Sequence, residues 1–308
     1  MNYKILINFP TNIGDTFLSL AAVDKIRGNY PEGTITAIAS PRNKELLLRN
    51  TSVNEVITFD KKWKWSQKLS FARDLRNKYD IIVDFKNSFL PVIIGVKKHT
   101  PFIRKFPKDS HLKDRYLQLV SKLAPQPTTV KSDFILNDIE RQKYESLLKS
   151  KTIFIACSSL SRIKEYPKEY LDEVVKKVIK KYPVAILGVK QDKYLYDEII
   201  DRYDVINLLG KTRIFEIFYL IKRYALLMLC VDSAICHLSS YADVPTIGLF
   251  GPTPAYRSYP WADNSRIIKR EDLECAPCDK PYCSHNFECM KIEPMRIVEE
   301  IENLNAGK

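Results

Sequence analysis

Short unbroken apolar runs alternate along this chain with longer stretches whose apolar residues recur at helical spacing. Tyr3–Phe9 (YKILINF) is the first run. A loop then leads into Asp15–Tyr30, where Phe17, Leu20, Ala21, Ala22, Val23 and Ile26 give the broad apolar face of a helix. The cycle repeats with a strand over Thr34–Ser40, a helix over Arg42–Asn50, a strand over Glu55–Asp60, a helix over Ser66–Lys78 and a strand over Tyr79–Phe85. Strands that are apolar on both faces and separated by helices predict parallel βαβ units. Ser88–Pro127 is less regular, basic and interrupted by prolines.

The pattern breaks at Ala124–Leu136 (APQPTTVKSDFIL), and a helix over Asp138–Leu148 opens a second cycle. Thr152–Ser158, Pro183–Val189, Asp204–Gly210, Ala225–Asp232 and Pro245–Gly251 predict five strands with helices between them. The expected organisation is α/β, with two doubly wound domains over residues 1–135 and 136–308. Ligands in such a pair belong at the carboxyl ends of the strands, in an interdomain cleft. A last helix, Pro294–Leu304, is expected to close the fold by packing back on the first domain.

A length of 308 residues fits two domains, and 45% hydrophobic with 28% charged residues is ordinary for globular proteins. Nothing at the start reads as a signal sequence, and the longest apolar run, Tyr224–Val231, is too short to span a bilayer, so a cytoplasmic protein is expected. The net charge of +12 is unevenly spread. Residues 1–150 hold 26 Lys and Arg against 15 Asp and Glu, and residues 151–308 hold 23 against 22. The asymmetry points to an anionic partner for the first half; the alternative is charge that only keeps the protein in solution.

Candidate chemistry lies at the strand ends. In Phe9–Leu20 (FPTNIGDTFLSL), Asp15 reads either as the cap of the following helix or as a carboxylate available as a general base. Cys157–Pro167 (CSSLSRIKEYP) brings Ser158, Ser159 and Lys164 together before a helix, a plausible phosphate cradle. It is not a P-loop, and no G-x-G-x-x-G occurs in the chain, which argues against an NTPase and a Rossmann dehydrogenase. Val231–Thr253 runs from a strand through Asp232 to a helix beginning at Ser233-Ala234, then to a strand ending at Thr253. That helix N-terminus would present free N–H groups to an anion. Read singly, Asp232 is a cap and His237 a packed helix residue. Gln191 and Asp192, after a strand, are candidates for nucleotide contacts.

Together the stretches NIGDTFLSL, YDIIVDFKNS, HLKDRYLQLV, CSSLSRIKEYP, Gly210–Thr212 and above all DSAICHLSSYADVPTIGLFGPT make the chain similar to the bacterial heptosyltransferases, glycosyltransferase family 9. The resemblance covers essentially the whole chain. It implies a GT-B fold and inverting transfer of a sugar, a heptose from an ADP-linked donor, onto the inner core of lipopolysaccharide. By motif, Asp15 would be the general base, with Lys164 assisting the leaving group. Ser158, Ser159, Lys164, Gln191, Asp232, Ser233, Ala234, His237 and Thr253 would bind the donor. Asn12, Lys86, Lys97, Lys98, Arg104 and Lys105 would meet the acceptor, four of these in the basic stretch Gly95–Tyr116, which has seven Lys and Arg against two Asp. The implied partners are a nucleotide-sugar and an anionic glycolipid, with contact at the inner face of the cytoplasmic membrane and no nucleic acid. No Asp-x-Asp pair occurs, so no catalytic cofactor is expected. Ala234 stands where the family usually has Gly, Pro254 follows Gly-Pro-Thr in place of an acidic residue, and Cys157 and Tyr166 replace the family's Gly and Trp. These departures bear on the donor's identity. The other readings are a sugar-nucleotide epimerase, a transferase with another donor, and a non-catalytic nucleic-acid or membrane-surface binder.

Seven cysteines include Cys275, Cys278, Cys283 and Cys289, spaced C-x2-C-x4-C-x5-C. Four thiolates can hold a structural zinc, the first pair having ligand spacing. Free or redox-active thiols are the equal alternative, and a cytoplasmic address disfavours disulfides.

Overall fold

The computed structural model describes residues 2–306. The chain divides into two compact units, Met1–Ile135 and Leu136–Lys308. Each is built on one parallel sheet.

In the first unit the strands are β1 (Lys4–Asn8), β2 (Thr34–Ala39), β3 (Glu55–Thr58), β4 (Ile81–Asp84) and β5 (Lys98–His99). Their order across the sheet is β3-β2-β1-β4-β5. The helices are α1 (Ile13–Asn29), α2 (Lys44–Leu48), α3 (Trp65–Asp74), α4 (Leu90–Ile94) and α5 (Leu112–Val120). Ile5, Leu6, Ile7, Ile81, Ile82 and Val83 have no exposed surface, as strands covered on both faces require. The chain steps outward from β1 through β2 to β3, then returns to lay β4 on the other side of β1. The reversal leaves a crevice at the carboxyl ends of β1 and β4.

The second unit repeats the plan. After α6 (Asp138–Glu145) come β6 (Thr152–Ala156), α7 (Lys168–Val178), β7 (Val184–Ile186), α8 (Lys193–Arg202), β8 (Ile206–Asn207) and α9 (Ile214–Tyr224). Then follow β9 (Ala225–Val231), α10 (Ala234–Tyr241), β10 (Thr246–Leu249), β11 (Arg266–Ile268) and α11 (Pro294–Ala306). The sheet order is β11-β10-β9-β6-β7-β8, so the reversal falls between β6 and β9. Ile153, Ile155, Leu227 and Leu229 of the central strands pack in one core with Leu171, Val174 and Val178 of α7.

Ile297, Val298 and Ile301 of α11 are buried in the second unit's own core. The sheets also gain β5 and β11, which pair in register with Ile81–Ile82 and Ile247–Leu249.

Candidate active site

Both reversals in strand order gather the residues that carry chemistry. In the first unit β1 leads into α1, whose cap position is Asn12, extended and with no side-chain capping bond. Asp15 is therefore not the cap; it stands inside the first turn. Asn12 Nδ2 donates to Asp15 Oδ2 at 3.3 Å, the one hydrogen bond of that carboxylate among the described residues. Burial pushes the Asp15 carboxyl above the ordinary range, and the Asn12 bond opposes this only in part. Tyr116, on α5, is near enough to Asp15 for the two charges to interact, and burial chiefly raises its hydroxyl.

Across the same crevice Asp84 ends β4 and is 2% exposed. Its carboxylate accepts from Asn8 Nδ2 at 2.9 Å, Lys86 N–H at 3.0 Å, and Ser88 N–H and Oγ, both at 2.7 Å. Asp84 thus organises the loop that carries Lys86, whose ammonium burial lowers while Asp84 raises it. The sequence analysis does not single out Asp84. The signal is an Asp at a strand end in Asp84-Phe85-Lys86-Asn87-Ser88, a pattern that favours side-chain-to-backbone turns.

The acceptor set separates. Asn12 and Lys86 lie at the carboxyl ends of the strands, and Arg104 donates to the carbonyls of Asp84 and Phe85 and so fixes the end of β4. Lys105 is exposed on the following loop. Lys97 and Lys98 do not belong with them. Lys98 pairs with Ile81, the first residue of β4, and its ammonium lies 5.3 Å from the Tyr3 ring, which precedes β1. Both lysines therefore sit at the amino ends of the strands, away from Asp15.

In the second unit the loop after β6 forms a 3-10 turn at Arg162–Lys164 and meets the loop after β9. Lys164 Nζ binds Asp232 Oδ2 at 2.6 Å, across the point where the strand order reverses. Ser258 Oγ donates to the other oxygen of Asp232 at 3.0 Å. Burial would raise the Asp232 carboxyl, but Lys164, then His237 and Ser258, hold it below the ordinary range. Asp232 is thus no helix cap: the cap position of α10 is Ser233, extended and without a capping bond. The Ser233 hydroxyl is buried with no hydrogen-bond partner among the described residues. Ala234 opens α10, so its N–H and those behind it are the helix's unpaired donors. The His237 ring lies nearly parallel to that of Trp261, their centroids 6.5 Å apart.

The remaining donor candidates are placed less uniformly. Ser158 Oγ donates to Asp192 Oδ2 at 2.7 Å, and Ser159 N–H points to Glu165 Oε1 at 3.3 Å. Gln191 is exposed on the turn Lys190–Asp192, so Asp192 is the member of that pair turned to the cradle. Thr253 lines a cavity of about 340 Å³ with Lys269, Arg270 and Glu271, not with Lys164 and Ser233. Ser258 and Trp261 were missed in the sequence, where nothing distinguishes them from other loop residues.

This two-unit layout and the motifs at its switch points have relatives. Residues 68–286 match the profile of glycosyltransferase family 9 (heptosyltransferase). The chain belongs to glycosyltransferase family 9. It is 24% identical to lipooligosaccharide heptosyltransferase 2 of Campylobacter jejuni, over 98% of this chain and 99% of that protein. The E. coli ADP-heptose lps heptosyltransferase II structure superposes with a TM-score of 0.78 at 22% identity, covering 98% of each chain. A family 9 glycosyl transferase from Veillonella parvula gives 0.82 at 19% identity, covering 99% of this chain and 98% of that one. The fold is GT-B, and the protein is a glycosyltransferase. Among the described residues no helix is long and apolar enough to cross a membrane.

The cysteines of this glycosyltransferase fall into two groups. Cys157, Cys230 and Cys236 are buried in the second unit, and burial pushes the Cys157 and Cys230 thiols well up. Cys275, Cys278, Cys283 and Cys289 instead line one cavity of about 110 Å³, together with Ile163, Pro252, His285 and Glu288.

Proposed function

We propose that the chain transfers a heptose from ADP-heptose to the anionic inner core of lipopolysaccharide, with inversion at the anomeric carbon. The observation that carries the reading is the cradle at the β6/β9 reversal. There a fixed ammonium, an unpartnered buried hydroxyl and a helix N-terminus converge, which is the donor set a diphosphate needs. The choice of heptose, ADP and lipopolysaccharide follows the names of the relatives.

In this reading Asp15 takes the proton from an acceptor hydroxyl as that oxygen bonds to the anomeric carbon. The bond from that carbon to the diphosphate breaks, and its electron pair leaves with ADP. Lys164 and the N–H groups of α10 meet the growing charge without rearrangement, because Asp232 and Ser258 already hold the lysine in place. A preorganised donor of this kind is worth roughly 3 kcal/mol in a transition state. The desolvated Asp15 is a stronger base than an exposed carboxylate would be. We assign charge neutralisation to these side chains and not to a metal, because the chain lacks an Asp-x-Asp pair.

For the acceptor side we propose contact with the surface of an anionic membrane. Phe89 and Ile103, 76% and 81% exposed, flank Phe102 at the carboxyl end of the first sheet, with Lys105 and Lys108 exposed beside them. Apolar side chains among lysines suit an interface of acyl chains and anionic headgroups.

The test is a thermal-shift titration with ADP, UDP and GDP, followed by a transfer assay from ADP-heptose. Stabilisation by ADP that Lys164→Ala abolishes is expected. A shift with UDP or GDP but not ADP would reassign the donor, and no shift with any would sink the cradle. Co-sedimentation with vesicles of anionic lipid should fall in Phe89→Ser/Ile103→Ser; unchanged binding would remove the membrane contact.

A further inference from the structure

Residues 275–290 connect β11 to α11 almost entirely as coil, with one short 3-10 turn at Glu288–Met290. Within them only Cys289 and Met290 are buried, so apolar packing contributes little to their order. The backbone nevertheless follows a defined path through three left-handed, side-chain-bearing residues: Asp279 (φ 53°), Asn286 (φ 47°) and Phe287 (φ 57°). Each costs about 1 kcal/mol or more and persists only where its surroundings enforce it.

The segment is also pinned to the donor loops. Asp279 N–H donates to the Pro252 carbonyl at 2.7 Å, and Arg257 pairs with the Asp279 side chain at 2.9 Å. Gly251 lies so close to the segment that a Cβ there would stand 2.9 Å from Cys289 Sγ and 2.5 Å from Met290 Sδ. Ile163, the neighbour of Lys164, and Pro252, the neighbour of Thr253, form part of the wall of the cavity that the four cysteines line.

The donor set suits a soft divalent cation. Cys283 Sγ accepts N–H bonds from His285 and Phe287, both at 3.3 Å. Both amide donors hold that sulfur at the cavity wall. Four cysteine sulfurs make up the complete ligand set of a closed structural zinc site.

We propose that Cys275, Cys278, Cys283 and Cys289 together bind one Zn²⁺, which staples this segment beneath the donor loops. Among the described residues no group of three or more His, Cys, Asp or Glu is placed so as to hold a metal ion as it stands. Binding therefore pulls the four sulfurs inward from the cavity wall, and the thiol protons that remain pass to solvent. The zinc takes no part in the transfer reaction. It completes a region that has little core of its own, and through Ile163 and Pro252 it stiffens the loops that carry Lys164 and Thr253. That last consequence rests on the donor-site reading; the metal site does not.

The experiment uses the full-length protein purified without chelator. Elemental analysis should find about one zinc per chain, the stoichiometry of a closed four-thiolate site. Alkylation should leave all seven cysteines unmodified until a strong chelator exposes four, with Cys157, Cys230 and Cys236 protected throughout. Replacement by Co²⁺ should produce an intense near-ultraviolet sulfur-to-metal band, absent in Cys278→Ser and Cys283→Ser. The wild-type chelation and cobalt titration carry the decision, since they do not depend on the variants folding. Metal-free protein whose four tail thiols alkylate at once, with no band on adding Co²⁺, overturns the proposal, as does finding those cysteines paired as disulfides. If zinc is present but its removal leaves ADP affinity unchanged, the link to the donor loops is refuted and the metal site stands.

Discussion

Asp15 and Asp232 each follow one of the two strands that flank the reversal in their sheet's order, Asp15 after β1 and Asp232 after β9. Their surroundings push them in opposite directions. Asp15 is desolvated and has one long hydrogen bond, from Asn12 at 3.3 Å, and its carboxyl is raised. Asp232 is at least as buried but meets an ammonium at 2.6 Å and a hydroxyl at 3.0 Å, and its carboxyl is lowered. The same residue type beside a switch point is desolvated and loosely held in one unit and paired and immobilised in the other. In the proposed reaction, two carboxylates driven apart in this way suit different tasks, Asp15 handling the proton and Asp232 orienting its neighbours.

The strongest way to break this contrast is Asp15→Asn. It should lower kcat by about three orders of magnitude, within the range expected for loss of a general base, while the ADP-induced thermal shift stays as in wild type. Retention of more than a tenth of the activity would remove Asp15 from the reaction. Because the fold disfavours the charge on Asp15, the same variant should also melt slightly higher at pH 7.

Lys164→Ala should act on the other side of the comparison. It leaves Asp232 buried and without its cation, at a cost of about 3 kcal/mol, and much of this should return in Lys164→Ala/Asp232→Asn. Denaturant titration of the two variants measures the difference; equal stabilities would show that the ion pair does not organise the cradle. Ser258→Ala should cost less, about 1–2 kcal/mol, by leaving one Asp232 oxygen unpaired. It should raise KM for the donor more than it lowers kcat, and Ser258→Thr should restore both.

The smallest effect concerns pH. A base whose pKa is raised loses activity as pH falls through that raised value, so the acid limb of kcat/KM should lie above the ordinary Asp range. Asn12→Ala removes the one bond that lowers the pKa and should move the limb slightly further up. A shift downward would mean that Asn12 does not act on Asp15.

The reach of the sequence follows the same division between buried strands and local contacts. The central strands were legible because strands covered on both faces are continuous apolar runs, as in Ile5–Ile7 and Leu227–Val231. β5 and β11 were not, since Lys98–His99 and Arg266–Ile268 carry no apolar run and exist through the ladder of a neighbour. The cradle segments could be found because an Asp-Ser before a helix and a Ser-rich loop with Lys stand at strand ends. That Lys164 and Asp232 bind each other could not, because it depends on β9 lying beside β6. Lys97 and Lys98 fall at the opposite end of the strands from Asp15, which a run of charge in the sequence does not tell.

The order of the second sheet also sets a timetable for synthesis. Lys164 precedes its partner Asp232 by 68 residues. At usual translation speeds that interval lasts roughly 3–14 s, far longer than a local turn needs to form. Throughout it the nascent chain carries β6, β7 and β8 with one central edge open, and the proposed cradle is incomplete. It is completed only when β9 pairs with β6 and brings Asp232 and the start of α10 with it.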